Sequence, residues 1–292
     1  MAILVAASPA RAVCYFDAQA TGAATGTSWA DAYTDLQAAL AGPVCTEVWV
    51  ARGIYKPTAT TDPSKSFAIP AGTAVYGGFA GNETMRDARD PKTHPTVLSG
   101  DIDNDDAHTA DNGIDATAAD IRGANSYHVV TITGASGRRV TDSTVLDGFT
   151  ITGGDANGTF ANGNGGGLYC YGADLGNACS PTLEHLVFSG NEAMDGGALF
   201  GDGSFGGSSS PRLRRVVFSG NHALLDGGAI YNSAHDVGTS SPVLTDITFA
   251  NNTADQNGGA IYDDGDEGGI ANPKLDAVTF SGNAASNLGG AL

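Results

Sequence analysis

Gly-Gly pairs begin at Gly165, Gly196, Gly227, Gly258 and Gly289, each 31 residues after the one before. A fixed period in this range points to a solenoid, in which each repeat buries its apolar face only by stacking on its neighbours. Other residues keep the same beat. Phe188, Phe218, Phe249 and Phe280 each precede an Asn by three residues, at Asn191, Asn221, Asn252 and Asn283. An Ala follows two residues later, at Ala193, Ala223, Ala254 and Ala285.

Each repeat opens with Pro181, Pro211, Pro242 or Pro273. Proline suits the first residue of a strand, where a missing N–H costs least. Leu183, Leu213, Leu244 and Leu275 follow, then Leu186, Val216, Ile247 and Val278, then the Phe. The step from Ile or Val to Phe is two residues, so both side chains share one face of a strand. The step from Leu to Val is three, which predicts a kink or bulge between them. Stacking at ~4.8 Å per coil predicts a column of Phe rings. It also predicts a ladder of Asn amides, each donating to one neighbouring coil and accepting from the other. Residues that recur once per coil serve the stack itself, so Asn and Gly-Gly read as internal ladder and tight turns, in preference to a row of ligands.

The paired motifs Phe-x-x-Asn and Gly-Gly-Ala-Ile/Leu resemble those of the polymorphic outer membrane proteins of chlamydiae and related bacterial surface proteins. The resemblance covers about residues 149–292, in four full motif pairs and a degenerate first one with Phe149, Thr152 and Gly167 at the Phe, Asn and Ala positions. It implies an all-β fold, a right-handed parallel β-helix, on a secreted protein or at the outer bacterial surface. It implies an adhesin or passenger and says little about activity.

The net charge is −18 with only 14 Lys and Arg. That disfavours nucleic acid and anionic membrane surfaces as partners. Gly reaches 42 residues without a Gly-X-Y period, which excludes collagen. Four cysteines form an even set. Cys170 and Cys179 bracket one loop. Cys14 and Cys45 could join the first strand to the one after the helix. Disulfides in an oxidising compartment are preferred over four buried thiols.

Residues 1–12 read as the remnant of a signal peptide, with Ala10-Arg11-Ala12 as an Ala-x-Ala cleavage site. Residues 13–148 then supply an N-terminal cap and irregular coils, and 149–292 the regular 31-residue repeats. Within the first stretch, Cys14–Asp17 reads as a strand. Trp29, Tyr33, Leu36 and Leu40 recur at helical spacing over Ser28–Leu40. Thr34-x-x-Gln37 offers a capping box for a shorter helix and Gly42-Pro43 a stop. Such a short helix would cover the open end of the solenoid. Strands are expected at Glu47–Ala51, Ser66–Ile69, Thr73–Tyr76, Thr96–Leu98, Tyr127–Thr133 and Thr144–Ile151. No other segment is long and apolar enough to span a membrane. The last residues, Gly289-Gly290-Ala291-Leu292, stand mid-coil, so further coils beyond 292 are expected.

Two acidic segments are candidate cation sites. Asp101, Asp103 and Asp105 alternate in an insert and present hard oxygen ligands suited to Ca²⁺, although the pattern departs from an EF-hand. A solvated acidic loop is the preferred alternative. Asp263, Asp264, Asp266 and Glu267 lie in the last of four variable loops, Cys170–Ser180, Gly201–Ser210, Asn232–Ser241 and Asp263–Asn272. Loops of similar length in successive coils should stack along one edge, where recognition usually lives. Arg212, Arg214 and Arg215 make a small basic spot, read as coil-surface charge.

The leading function is therefore a surface or secreted binding or structural module, with a glycan or a cell-surface ligand as partner. The second is a polysaccharide lyase or hydrolase. No catalytic residue is nominated, because no His falls in a recognisable pairing and the Arg trio is far along the chain from Asp101–Asp106.

Overall fold

Each repeat folds into one coil of a parallel β-helix. The computed structural model describes residues 13–41, 45–108, 112–135 and 137–292. The signal-peptide reading of residues 1–12 and the Gly42-Pro43 stop lie outside them.

Three parallel sheets wall the solenoid. In the first, Thr182–Glu184 pairs with Arg212–Ser219, which pairs with Val243–Ala250 and then Lys274–Ser281. The second holds Leu168–Tyr171, Leu199–Asp202, Ile230–Ser233 and Ile261–Asp264. The third is made of two-residue strands, from Asp155–Ala156 to Ala284–Ala285. A right-handed path is the one that parallel crossovers take in nearly all folds.

The core follows from the periodicity. Leu183, Leu213 and Leu244 face inward, as do Phe188, Phe218 and Phe249, and all are buried. Phe188, Phe218, Phe249 and Phe280 stack with centroids 4.9, 4.9 and 5.1 Å apart and planes within 7°. Burial of each ring is worth roughly 1.5–3 kcal/mol.

The three-residue step from Leu to Val is resolved by one residue in the left-handed region per coil: His185 (φ 49°), Arg215 (54°), Asp246 (55°) and Ala277 (52°). Two consecutive side chains then leave the core at every kink. Glu184 and His185 do so in one coil, Arg214 and Arg215 in the next.

The first motif pair is shifted from the sequence assignment. Ile151, not Phe149, sits beside Phe188 in the sheet, and Gly154 takes the Asn position, its N–H donating to Asn191 Oδ1 at 3.1 Å. Phe149 falls in the column of Leu186. Its hydrophobicity matched the Phe class, but the kink sets the register.

The N-terminal end differs from expectation in two respects. The helix spans only Leu36–Ala41. Ser28–Tyr33 is a turn, because Tyr33 pairs with the first strand: its N–H donates to Tyr15 O at 2.9 Å, and its carbonyl accepts from Asp17 N at 3.0 Å. Trp29 instead packs on Tyr15 and Phe79. The cap is Asp35, whose Oδ1 accepts from Gln37 N at 2.9 Å, rather than Thr34. Leu36 and Leu40 join the core, and Gln37 Oε1 accepts from Ala68 N at 3.2 Å, satisfying a donor on the first strand of the second sheet.

The earlier strands run at Val13–Phe16, Glu47–Ala51, Phe67–Ile69, Ala74–Phe79, Thr96–Ser99 and Val130–Thr133. Thr144–Ile151 divides into Val145–Asp147 and Thr150–Thr152 at Gly148, whose φ of 87° ends the first strand.

Candidate functional site

Most repeated polar residues point inward and are satisfied there. Asn191 Nδ2 donates to Asn221 Oδ1, Asn221 Nδ2 to Asn252 Oδ1 and Asn252 Nδ2 to Asn283 Oδ1, each at 2.9 Å. The same amides donate to the carbonyls of Ile151, Phe188 and Phe218. Each oxygen also accepts a backbone N–H, so no donor is left for a ligand. The second glycine of each pair lets coils approach. A Cβ on Gly228 would lie 2.3 Å from Gly259 O.

The four loops stack on one edge. Cys179 N donates to Ser208 O and Ser209 N to Thr239 O, each at 2.8 Å, and Thr239–Ser240 pairs with Ile270–Ala271. Their tips carry left-handed residues, Asp174, Phe205, Asp236 and Glu267. Two of the four candidate loop acids serve the scaffold. Asp263 Oδ1 accepts from Asn232 Nδ2 at 2.7 Å, and Asp264 Oδ2 from the Tyr231 hydroxyl at 3.2 Å. Asp266 and Glu267 are exposed, with Glu267 Oε2 3.5 Å from His235 Nε2.

Disulfides join Cys14 to Cys45 and Cys170 to Cys179, with Cα atoms 5.6 and 5.7 Å apart. The first ties the opening strand to the segment after the helix. The second closes the base of the first loop.

In the insert, carboxylate oxygens of Asp101, Asp103 and Asp105 lie within 4.8 Å of one another. Asp101 is already engaged. Lys56 Nζ stands 3.3 Å from its Oδ2 and His108 Nε2 3.5 Å, while its Oδ1 accepts from the N–H groups of Asn104 and Asp105. His108 Nδ1 also meets Asp115 Oδ1 at 2.9 Å. Burial first, then the nearby Asp106 carboxylate, push Asp115 well above the usual carboxylate range.

The kinks of the first sheet carry a third cluster, of which the sequence shows only the basic spot of Arg212, Arg214 and Arg215. Asp147, Glu184 and Arg214 form one outward column and Gly148, His185 and Arg215 the next. Arg89, from the segment crossing this face, donates to Asp147 Oδ2 and, at 3.0 Å, to Gly77 O. A Cβ on Gly148 would collide with Arg89 Nη1 at 2.3 Å, so glycine is needed where the segment crosses. Asp147 Oδ1 meets His185 Nδ1 at 3.0 Å, and Arg215 Nη1 meets His185 Nε2 at 2.9 Å. Since a guanidinium only donates, Nε2 is the acceptor, and Nδ1 carries the proton given to Asp147. Glu184 Oε1 takes Arg214 and Arg215 at 3.3 and 3.5 Å. Asp147, Glu184 and His185 have the donor atoms of a metal site. Three arginines already occupy those carboxylates, and their charges oppose a dication.

The signal for this cluster was present. Leu146-Asp147-Gly148-Phe149, Leu183-Glu184-His185-Leu186 and Leu213-Arg214-Arg215-Val216 align as Leu-x-x-apolar, with two outward residues in each. The spacing of 37 residues between Asp147 and Glu184 hid the first of them from a 31-residue period.

The Chlamydia polymorphic membrane protein repeat matches residues 215–233 and 246–264. Each match starts at the left-handed kink residue, passes the stacked Phe and ladder Asn, and ends in the next strand of the second sheet. Two stretches of the chain are thus similar to that repeat. Their recurrent positions are the buried ones. No curated protein and no solved structure matches the chain. Among the described residues, no helix is long and apolar enough to cross a membrane.

Proposed function

We propose that this chain is an exported β-helix acting at the outer bacterial surface as an adhesin- or passenger-like binding module. Its recognition edge is the stack of four loops. One observation carries the reading. The repeated Asn and Gly-Gly residues are taken up inside the coils, whereas the loops differ in sequence yet are held in register by coil-to-coil hydrogen bonds. On this reading residues 1–12 are the end of an export signal, and 13–148 and 149–292 are two stretches of one solenoid. Pairing of Val145–Asp147 with both Ala74–Phe79 and Thr182–Glu184 supports that continuity. The ligand is a glycan or another cell-surface molecule.

The test is binding of the immobilised chain to a glycan panel and to intact cells, with and without Asp266→Asn and Glu267→Gln. Binding that falls in the variants at unchanged melting temperature supports the loop edge. Equal binding by both forms sinks it. For Asp101, Asp103 and Asp105, calorimetry with Ca²⁺ on wild type and Asp103→Ala decides, and heat in neither removes the site.

A polysaccharide lyase or hydrolase is the second reading. It is favoured by the kink face, where two carboxylates, a histidine and arginines meet beside a cleft. Release of unsaturated or reducing sugar from pectin, alginate or a glycosaminoglycan would establish it.

A further inference from the structure

Five of the 14 Lys and Arg residues of this acidic chain gather at the kink face: Arg89, Lys92, Arg212, Arg214 and Arg215. Their situations differ. Arg89 is largely buried and holds Asp147, which in turn holds His185. Arg214 and Arg215 are half-exposed around Glu184. Arg212 and Lys92 are exposed, and no ion pair engages either among the described residues. Between the crossing segment and the coils lies a cleft of about 260 Å³, lined by Pro91, Lys92, Thr150, His185 and Val187 among others. Lys92 stands on one flank. His185, with Arg215 on its Nε2, stands on the other. Asp246 occupies the same column one coil on and bounds the cationic stretch.

We propose that this cleft and the adjoining Arg212–Arg215 surface bind an acidic polysaccharide, its carboxylate or sulfate groups taken by Lys92 and Arg215. The cleft is smaller than the ~300–1,000 Å³ of a drug-sized pocket. It therefore holds one charged ring of a longer chain, which continues over Arg214 and Arg212. The surface is a sheet face with every strand paired on both sides, so it offers side-chain cations and the Thr150 hydroxyl but no free strand edge. A polyhydroxylated polyanion needs only such groups, whereas an extended peptide would add to an edge. Arg215 is preset by its contact with His185, which lowers the ordering cost of binding. Asp147 and Arg89 act as positioning residues. The site is separate from the loop edge, so each can fail while the other stands.

Calorimetry or affinity electrophoresis of the full chain tests it. The probes are polygalacturonate, heparin, neutral dextran and poly-glutamate. Polygalacturonate, heparin or both should bind, and which of them binds tells carboxylate from sulfate. Binding should weaken with added salt, and dextran should be inert. Lys92→Ala with Arg215→Ala should raise Kd by about tenfold or more, with the melting temperature kept. Lys65→Ala, which removes an exposed cation outside the cleft, should leave Kd unchanged. No binding of either polyanion, equal binding of dextran, or full binding by the double variant would overturn the proposal. Poly-glutamate binding as tight as the sugars would replace the polysaccharide with an acidic peptide.

Discussion

Asn221 donates from Nδ2 to Oδ1 of Asn252, one coil on, at 2.9 Å, and the same Nδ2 reaches Phe188 O at 3.1 Å. Its own Oδ1 accepts both the N–H and the Nδ2 of Asn191. One buried amide thus makes four hydrogen bonds to three residues in the two flanking coils. Asn221→Ala removes its contacts, leaves the Asn191 N–H without its acceptor and leaves Asn191 Nδ2 with only the carbonyls of Ile151 and Ser189. A loss of about 1–3 kcal/mol is expected, read as a lower denaturant midpoint with unchanged slope. Stability equal to wild type would mean that the ladder adds nothing net.

Glycine is required for different reasons at different positions. Gly228 sits where an added Cβ would lie 2.3 Å from Gly259 O and 2.4 Å from Thr253 O, both backbone atoms that cannot turn aside. Gly228→Ala should cost about 3 kcal/mol. Gly176, at φ 90° on the first loop, has nothing within 4 Å of an added Cβ. There Ala pays only the left-handed strain, about 1 kcal/mol. Asn sharpens the contrast, because it tolerates the left-handed region but is larger. It should be milder than Ala at 176 and worse at 228, and thermal melts of the four variants measure this.

The regular coils were legible because each core residue repeats a one-coil demand: Phe stacks on Phe, Asn bonds Asn, and Gly-Gly lets coils approach. The kink was legible too, since a three-residue step cannot keep both side chains on one strand face. The first coil was misregistered because Phe149 looks like the Phe column while Ile151 occupies it, a choice made by pairing with Val187–Ser189. The Trp29–Leu40 pattern suggested one helix, but pairing of Tyr33 with Tyr15 and Asp17 overrides the periodicity. The kink-face cluster escaped because its members are neighbours only across coils. His185 meets an acid 38 residues earlier and an arginine 30 residues later.

Arg89 and Arg214 both meet a carboxylate, yet their removal should differ. Arg89 and Asp147 are largely buried, with 12% and 8% side-chain exposure. Arg89→Ala leaves Asp147 buried beside one remaining partner, and a loss of about 3–5 kcal/mol is expected. Arg214 is 49% exposed, so water replaces it at Glu184. Arg214→Ala should cost about 0–1 kcal/mol. Chemical denaturation of both variants checks the ordering, and equal losses would contradict the clamp assigned to Arg89.

Acids in the column beside the Gly-Gly turns and on the third sheet make stability depend on pH. Asp195 is pushed up to about 6, first by burial and then by Asp226 one coil on. Burial first, and then Glu192, likewise lift Asp155 to about 6. Both values lie above those of the unfolded chain, so the folded state holds these protons more tightly. Their stabilising contribution is complete below about pH 4 and is lost as pH rises through the folded values near 6. The protein should therefore melt higher at mildly acidic than at neutral pH. Asp195→Asn removes one titrating group while its Oδ1 still accepts from Asp226 N, as in the 3.1 Å bond of the native protein. Asn already fills the equivalent positions Asn164 and Asn257, so the amide fits the column. The variant should gain about 1–2 kcal/mol at neutral pH after solvent screening and show a shallower pH slope. Melting curves across this range decide it, and a variant with the wild-type slope would remove Asp195 as a source of the dependence.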